Sequence, residues 1–256
     1  MTEAEWLACT DPQRMLEFLR DKASNRKLRL FACACCRLIS QLFLDDRLLQ
    51  LFGGFEREVD GQATAQDYQL RKDWVEEQEV LADSWGLSEI DDERRRQILS
   101  RYHRQQTHNV EAMQALGWVL DWDTAILMGA HGEEPVDAWL AATGTAHTVT
   151  LAAGNAPTVR KSQIEILRDI FSNTLRPVSV TPSVFAWNGG LVVRLAQVAY
   201  EDRHLPAGTL DNTRLAILAD ALEEAGCTNA DILNHCRQPG EHVRGCWVVD
   251  LLLGKE

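Results

Sequence analysis

No uninterrupted apolar run in this chain approaches the ~18 residues that a membrane-spanning helix requires, so no transmembrane segment is expected. Positive charge is scarce. Lys and Arg number 26 against 38 Asp and Glu, a net charge of −12. A general nucleic-acid binder needs a basic footprint, and docking on anionic lipid needs the same sign. Both are disfavoured. The N-terminus, with Glu3 and Glu5, lacks the basic start and apolar core of a secretory signal. Several motifs of common enzyme chemistry are missing. There is no Gly-rich loop ending in Gly-Lys-Ser/Thr, no Gly-x-Gly-x-x-Gly, no His-Glu-x-x-His and no Gly-x-Ser-x-Gly. The seven cysteines are odd in number, and Cys35 and Cys36 are adjacent. A disulfide framework is not expected, and reduced thiols in a cytoplasmic protein are.

What is present is an ordinary globular composition, 45% hydrophobic and 25% charged over 256 residues, enough to bury a sizeable core. Helix signals dominate. Thr10-Asp11-Pro12-Gln13 predicts a helix start, with Gln13 placed for a capping box. Ser24-Asn25 starts a segment from Arg26 to about Phe43 that is apolar on nearly every face, a central buried helix. Asp211 caps another helix that Gly226 stops, and a short one begins at Asn229. Residues 143–153 and Cys246–Leu253 could each be helix or strand, because short apolar runs do not reveal their period. Asp91-Asp92-Glu93 before Arg94-Arg95-Arg96 suits a helix start, and Trp118 and Trp122 share a helix face. The fold class predicted is all-α: a multi-helix globular bundle with its N- and C-terminal helices packed together and strand marginal. The chain divides into 1–59, a helical middle 60–155, and 156–256, with the first and last forming one core.

The runs Glu3-Ala4-Glu5-Trp6-Leu7-Ala8-Cys9-Thr10-Asp11-Pro12, Lys27-Leu28-Arg29-Leu30-Phe31-Ala32-Cys33-Ala34-Cys35-Cys36-Arg37, and Asn234-His235-Cys236-Arg237 through Cys246-Trp247-Val248-Val249-Asp250 resemble a multi-copy family of planctomycete proteins. Leu218 to Gly226 is similar to the Tyr-Ala-Asp-Trp-Leu-Glu-Glu motif of a short repeat-companion domain, with Leu218 and Ala221 where that motif has Tyr and Trp. Together they imply a bacterial cytoplasmic accessory protein, and supply no reaction.

Chemistry could reside in the last forty residues. Cys227, Cys236, His242 and Cys246, with His235 as a substitute, form a candidate three-cysteine, one-histidine zinc set. Their gaps of eight, five and three residues fit no standard zinc module, so buried packing is the competing reading. Cys33 lies four residues from both Arg29 and Arg37 on a helix, where positive neighbours would favour thiolate. It is the candidate reactive thiol. His235, Arg237, His242 and Arg244 flank a Pro-Gly turn and could hold an anion or neutralise nearby acids. A partner surface is expected at Lys22, Arg26, Lys27 and Arg29, or at His235, Arg237 and Arg244, suited to an acidic protein partner. Arg26 and Lys27, near a helix start, should tolerate reversal to Glu. The function expected is a non-catalytic helical interaction or accessory module with no cofactor. The alternatives are a zinc-binding protein or metal-dependent enzyme, and a thiol sensor at Cys33.

Overall fold

The computed structural model describes residues 1–43, 46–83, 137–175 and 177–255. The charge run 91–96 and the pair Trp118 and Trp122 lie outside them. The described residues are 71% helical. In chain order the α-helices are α1 (Glu3–Ala8), α2 (Pro12–Leu19), α3 (Asn25–Arg37), α4 (Asp46–Val59), α5 (Ala65–Asp83), α6 (Ala138–Ala152), α7 (Pro157–Leu175), α8 (Pro182–Ala186), α9 (Leu191–Glu201), α10 (Asn212–Glu224), α11 (Ala230–Arg237) and α12 (Trp247–Leu253). Among the described residues, the only sheet is an antiparallel hairpin of β1 (Arg203–His204) and β2 (Thr209–Leu210), with Arg203 opposite Leu210. The fold is all-α.

The helix starts follow local chemistry. Thr2 and Glu5 close a reciprocal capping box on α1. Asp11 caps α2 by accepting from the Gln13 amide, which puts Pro12 in the first turn. The cap falls one residue after Thr10, so Gln13 is not in the box position; its side chain reaches the Thr143 carbonyl at 3.4 Å instead. Ser24, Asp211 and Asn229 cap α3, α10 and α11. Each gives a side-chain acceptor to an otherwise unpaired first-turn amide.

Helix α3 is the centre of the first apolar cluster. Phe31, Ala32, Cys33, Cys35 and Cys36 are all fully buried. Its most extensive partner is α6, whose Ala138, Ala141, Ala142 and Ala146 are small enough to let the two backbones close up. Residues 143–152 are thus helical, with Ala153 just past the helix end, and part of the middle segment packs into the same core as 1–59. Ile166, Leu167, Ile170 and Phe171 of α7 complete this cluster. A second cluster joins α9, α10, α11 and α12 through Tyr200, Leu215, Leu218, Ile232, Val248 and Val249. Cys246–Leu253 resolves as α12, with Cys246 as its N-terminal flanking residue.

Charged side chains fill part of the seam between the clusters. Arg26 at the start of α3 forks onto Asp250 of α12 at 2.7 and 3.1 Å, and its Nε donates to Asp60 at 2.8 Å. Asp60 also accepts from the Tyr200 hydroxyl at 2.7 Å and from Arg244 at 2.6 and 3.0 Å. Nearby, Glu56 takes Arg37 at 2.9 and 3.1 Å and Arg203 at 2.7 Å. The β-hairpin lies against Arg37: a Cβ at Gly208 would stand 2.5 Å from Arg37 Cδ, at a φ of +74°. Only glycine fits there.

Candidate metal centre

Three chain segments converge on Asp169. It sits on α7 among Ile166, Leu167, Ile170 and Phe171, an acid on an apolar face. His235 occupies the last turn of α11. His242 lies in the loop that follows, and that loop is fastened at two points. Leu210 N donates to the His242 carbonyl at 2.7 Å, and Val243 N donates to Asp169 Oδ2 at 2.8 Å. Gly245, at φ +96°, then makes the turn in the left-handed region that delivers Cys246 to the head of α12. Asp169, His235, His242 and Cys246 are all buried, at 4%, 8%, 1% and 0% exposure.

One ligand atom from each of the four lies within 4.8 Å of all the others. His242 Nδ1 is 2.7 Å from Asp169 Oδ1, His235 Nε2 is 3.0 Å from the same oxygen, and His235 Nε2 is 3.2 Å from Cys246 Sγ. Gln238 faces both imidazoles from outside, its carbonyl 3.4 Å from His242 Nε2 and its amide nitrogen 3.3 Å from His235 Nδ1. The rings of His235 and His242 meet edge to face at 4.8 Å, and Trp247 covers His235 at 5.1 Å. A cleft of about 440 Å³ reaches Asp169, His235, His242 and Trp247.

The charges follow from these contacts. Burial would raise the Asp169 carboxyl, but hydrogen bonds from His235 and His242, with their charges, hold it well below the usual carboxylate range. Burial would lower the His242 imidazole. The bond to Asp169, that group's charge and the Gln238 carbonyl raise it instead. Burial, then the Asp169 charge, push the Cys246 thiol well up. Both nitrogens of His242 face acceptors, so its protonated form would satisfy both contacts.

A Cys-His-Asp nucleophile relay is a different arrangement. In a relay the carboxylate holds one imidazole nitrogen and the nucleophile faces the other. Here Asp169 and Cys246 both address Nε2 of His235. That nitrogen cannot take a proton from the thiol while donating one to the carboxylate. Four donors crowding one point is instead the pattern of metal ligands. A tetrahedral zinc-class ion holds its ligand atoms about 3.3–3.8 Å apart; the three closest pairs here, at 2.7, 3.0 and 3.2 Å, would open by a few tenths of an ångström or more around an ion, and all four atoms lie within 4.8 Å. The donor set of two imidazoles, a thiolate and a carboxylate suits such an ion.

The structure places the other sequence candidates elsewhere. Cys227 and Cys236 lie in the second apolar cluster and outside the four-residue group. Cys236 follows His235 on the same helix and turns into the core; burial, then the Asp169 charge, push its thiol up to about 12. His235, proposed as a substitute, stands in the group beside His242 and Cys246. Asp169 was not foreseen, because 66 and 73 residues separate it from the two histidines. Its one signal in the sequence was a lone acid between Leu167 and Ile170.

Cys33 is a correction. It is fully buried, and burial together with the charge of Glu56 raises its thiol well above the ordinary value despite Arg37 nearby. The proposed cationic surface is a second one. Arg26 and Arg244 are committed to Asp60 and Asp250 inside the protein. Lys27 Nζ donates to the Ile170 carbonyl at 3.3 Å, and Lys22 Nζ to the Phe18 carbonyl at 2.7 Å. Arg29 is half-buried and engaged. Arg237 is exposed and pairs with Asp220 and Glu223 at 2.8 and 2.6 Å. His235 is buried. These cations mostly satisfy the protein's own acceptors.

No family model matches the chain, and neither a curated protein nor a solved structure does.

Proposed function

We propose that this is a metal-binding protein, in which Asp169, His235, His242 and Cys246 hold one zinc-class divalent ion as a structural centre. One observation carries the reading: four buried donors of the right chemistry, drawn from α7, α11 and the loop into α12, lie within 4.8 Å of one another. Four protein ligands fill a tetrahedral shell, the pattern of structural rather than catalytic zinc. The ion's part is charge: it replaces the protons now shared among the donors and neutralises the buried carboxylate and thiolate. Gln238 supports both imidazoles from behind, as ligand-bound histidines require. Its amide can turn to offer oxygen to His235 Nδ1 once Nε2 is engaged. The adjoining cleft gives the ion a route in. Such a centre fastens α7 of the first cluster to α11 and α12 of the second. A non-catalytic accessory role is compatible with it.

The test is metal analysis of protein purified without chelator, with cobalt(II) titration of the stripped protein. The expected result is about one equivalent of zinc and, with cobalt, tetrahedral visible bands plus a thiolate-to-cobalt charge-transfer band. Cys246→Ser should remove the charge-transfer band, and Asp169→Ala should weaken metal binding about 10–100-fold or more. Absence of stoichiometric metal together with no cobalt–thiolate band would refute the reading, leaving the cluster as a hydrogen-bonded network.

A further inference from the structure

A second site follows from a charge that the fold leaves unbalanced. Arg37, Glu56 and Arg203 form a buried triad, their side chains 2%, 3% and 8% exposed. Two guanidinium groups share one carboxylate, so the triad carries a net positive charge inside the protein. Arg37 is satisfied by Glu56 and by the Pro206 carbonyl at 2.9 Å. Arg203 is not. Its Nη2 reaches Glu56, whereas Nε and Nη1 are buried with no hydrogen-bond partner among the described residues. A buried cationic donor left unpaired is unfavourable unless a partner supplies the missing charge and lone pairs.

Arg37 and Arg203 both line a cavity of about 910 Å³ between α4, the start of α5 and the β-hairpin. Arg57 and Arg244 line it too. Both are already paired, with Asp67 and Asp60. The remaining wall includes the apolar side chains of Leu49, Leu70, Leu205 and Pro206. The size is that of a small-molecule site, and Gln50, Thr64, Gln66 and Asp67 add polar groups to its wall. Glu201 also lines the cavity; it is exposed and accepts from Gln197 at 2.9 Å.

We infer that this cavity binds a small organic anion, an apolar body ending in an oxyanion head, with the head at the guanidinium of Arg203, which lines the cavity and has two donors to spare, and the body against Leu49, Leu70, Leu205 and Pro206. Guanidinium recognises carboxylate and phosphate alike, so the head is defined by its charge and acceptor oxygens. The site shares no ligand with the metal centre and stands or falls separately.

The experiment is calorimetric titration of the full chain with hexanoate, hexyl phosphate and hexanol. The first two distinguish a carboxylate from a phosphate head, and the third has the body without the charge. At least one anion should bind saturably, one per chain and at least tenfold tighter than hexanol, with affinity falling as salt rises. Arg203→Lys keeps a cation beside Glu56 but removes the unpaired Nε and Nη1 donors; it should cost the preferred anion at least tenfold. Leu205→Trp, at a side chain 69% exposed, should block the cavity without touching the triad and cost at least as much. Equal affinity for hexanol and both anions overturns the inference, as does unchanged anion affinity in Arg203→Lys. Should Arg203→Lys fail to fold, Leu205→Trp decides: binding at wild-type strength overturns the site, and loss supports it.

Discussion

At Cys33, two effects oppose each other, and burial decides. The thiol has Arg37 one helical turn away, yet it is fully buried and faces the charge of Glu56. Thiolate needs both a favourable field and some access to solvent, and Cys33 has neither in sufficient measure. Cys9 differs. It is half-buried at the end of α1, its Sγ 3.4 Å from the Asp11 carbonyl. Brief iodoacetamide treatment of folded protein at neutral pH, followed by mass mapping, should label Cys9 first and leave Cys33, Cys35 and Cys36 unmodified. Labelling of Cys33 ahead of Cys9 would contradict this account. The flanking arginines were legible in the sequence, since helical spacing places them. The sign of the outcome was not, because burial depends on α4 and the hairpin closing over that face. The same holds for Asp169, whose partners arrive from segments far along the chain.

Among the elements, helices were the most legible. Capping residues and apolar stripes are local, so α3, α10 and α11 could be placed from Ser24, Asp211 and Asn229, and α2 to within a residue from Thr10-Asp11-Pro12. The helical state of 143–153 was not decidable by period, and packing of its alanines on α3 settles it. Charged residues at helix starts were misleading for a related reason. Near the beginning of a helix a Glu is tolerated by the dipole, so reversing Arg26 looked harmless. Arg26 instead ties α3 to α12 through Asp250 and to the end of α4 through Asp60, its side chain only 13% exposed. Removing one partner of a buried ion pair leaves the other charge stranded, typically at a cost of about 3–5 kcal/mol. Arg26→Ala should therefore lower unfolding stability by that order in urea titration, chiefly because buried Asp250 loses both of its hydrogen bonds from Arg26, whereas Asp60 keeps Arg244 and Tyr200. A loss below about 1 kcal/mol would mean that the network is solvated and that the helix-start argument was sufficient.

For the whole molecule, the two apolar clusters meet across groups that must stay ionised. Glu56 shows what this means for pH. Burial would raise its carboxyl, but the charges of Arg37 and Arg203 and their hydrogen bonds lower it from its ordinary 4.5 to about 2. Asp60 behaves likewise. Burial opposes the hydrogen bond from Tyr200 and the charges of Arg244 and Arg26, and the net result is a fall from 3.8 to about 2. A carboxyl whose folded value is depressed binds fewer protons folded than unfolded, so stability falls as pH falls. The Glu56 contribution is present in full above 4.5 and is lost progressively as the pH drops toward 2. Each depressed unit is worth about 1.4 kcal/mol, so Glu56 alone supplies stability on the order of a few kcal/mol at neutral pH. Glu56→Gln tests the assignment, because Gln cannot titrate and leaves Arg37 and Arg203 without their counter-charge. Urea unfolding of both proteins, with chelator present to remove any metal contribution, should find the variant less stable at pH 7 and its stability less steeply dependent on pH below 4.5. The two curves should converge toward pH 2, where the wild-type carboxylate is also being protonated. Parallel curves across that range would place the acid sensitivity elsewhere in the seam, and equal stability at pH 7 would mean that the triad is no more than a solvated surface contact.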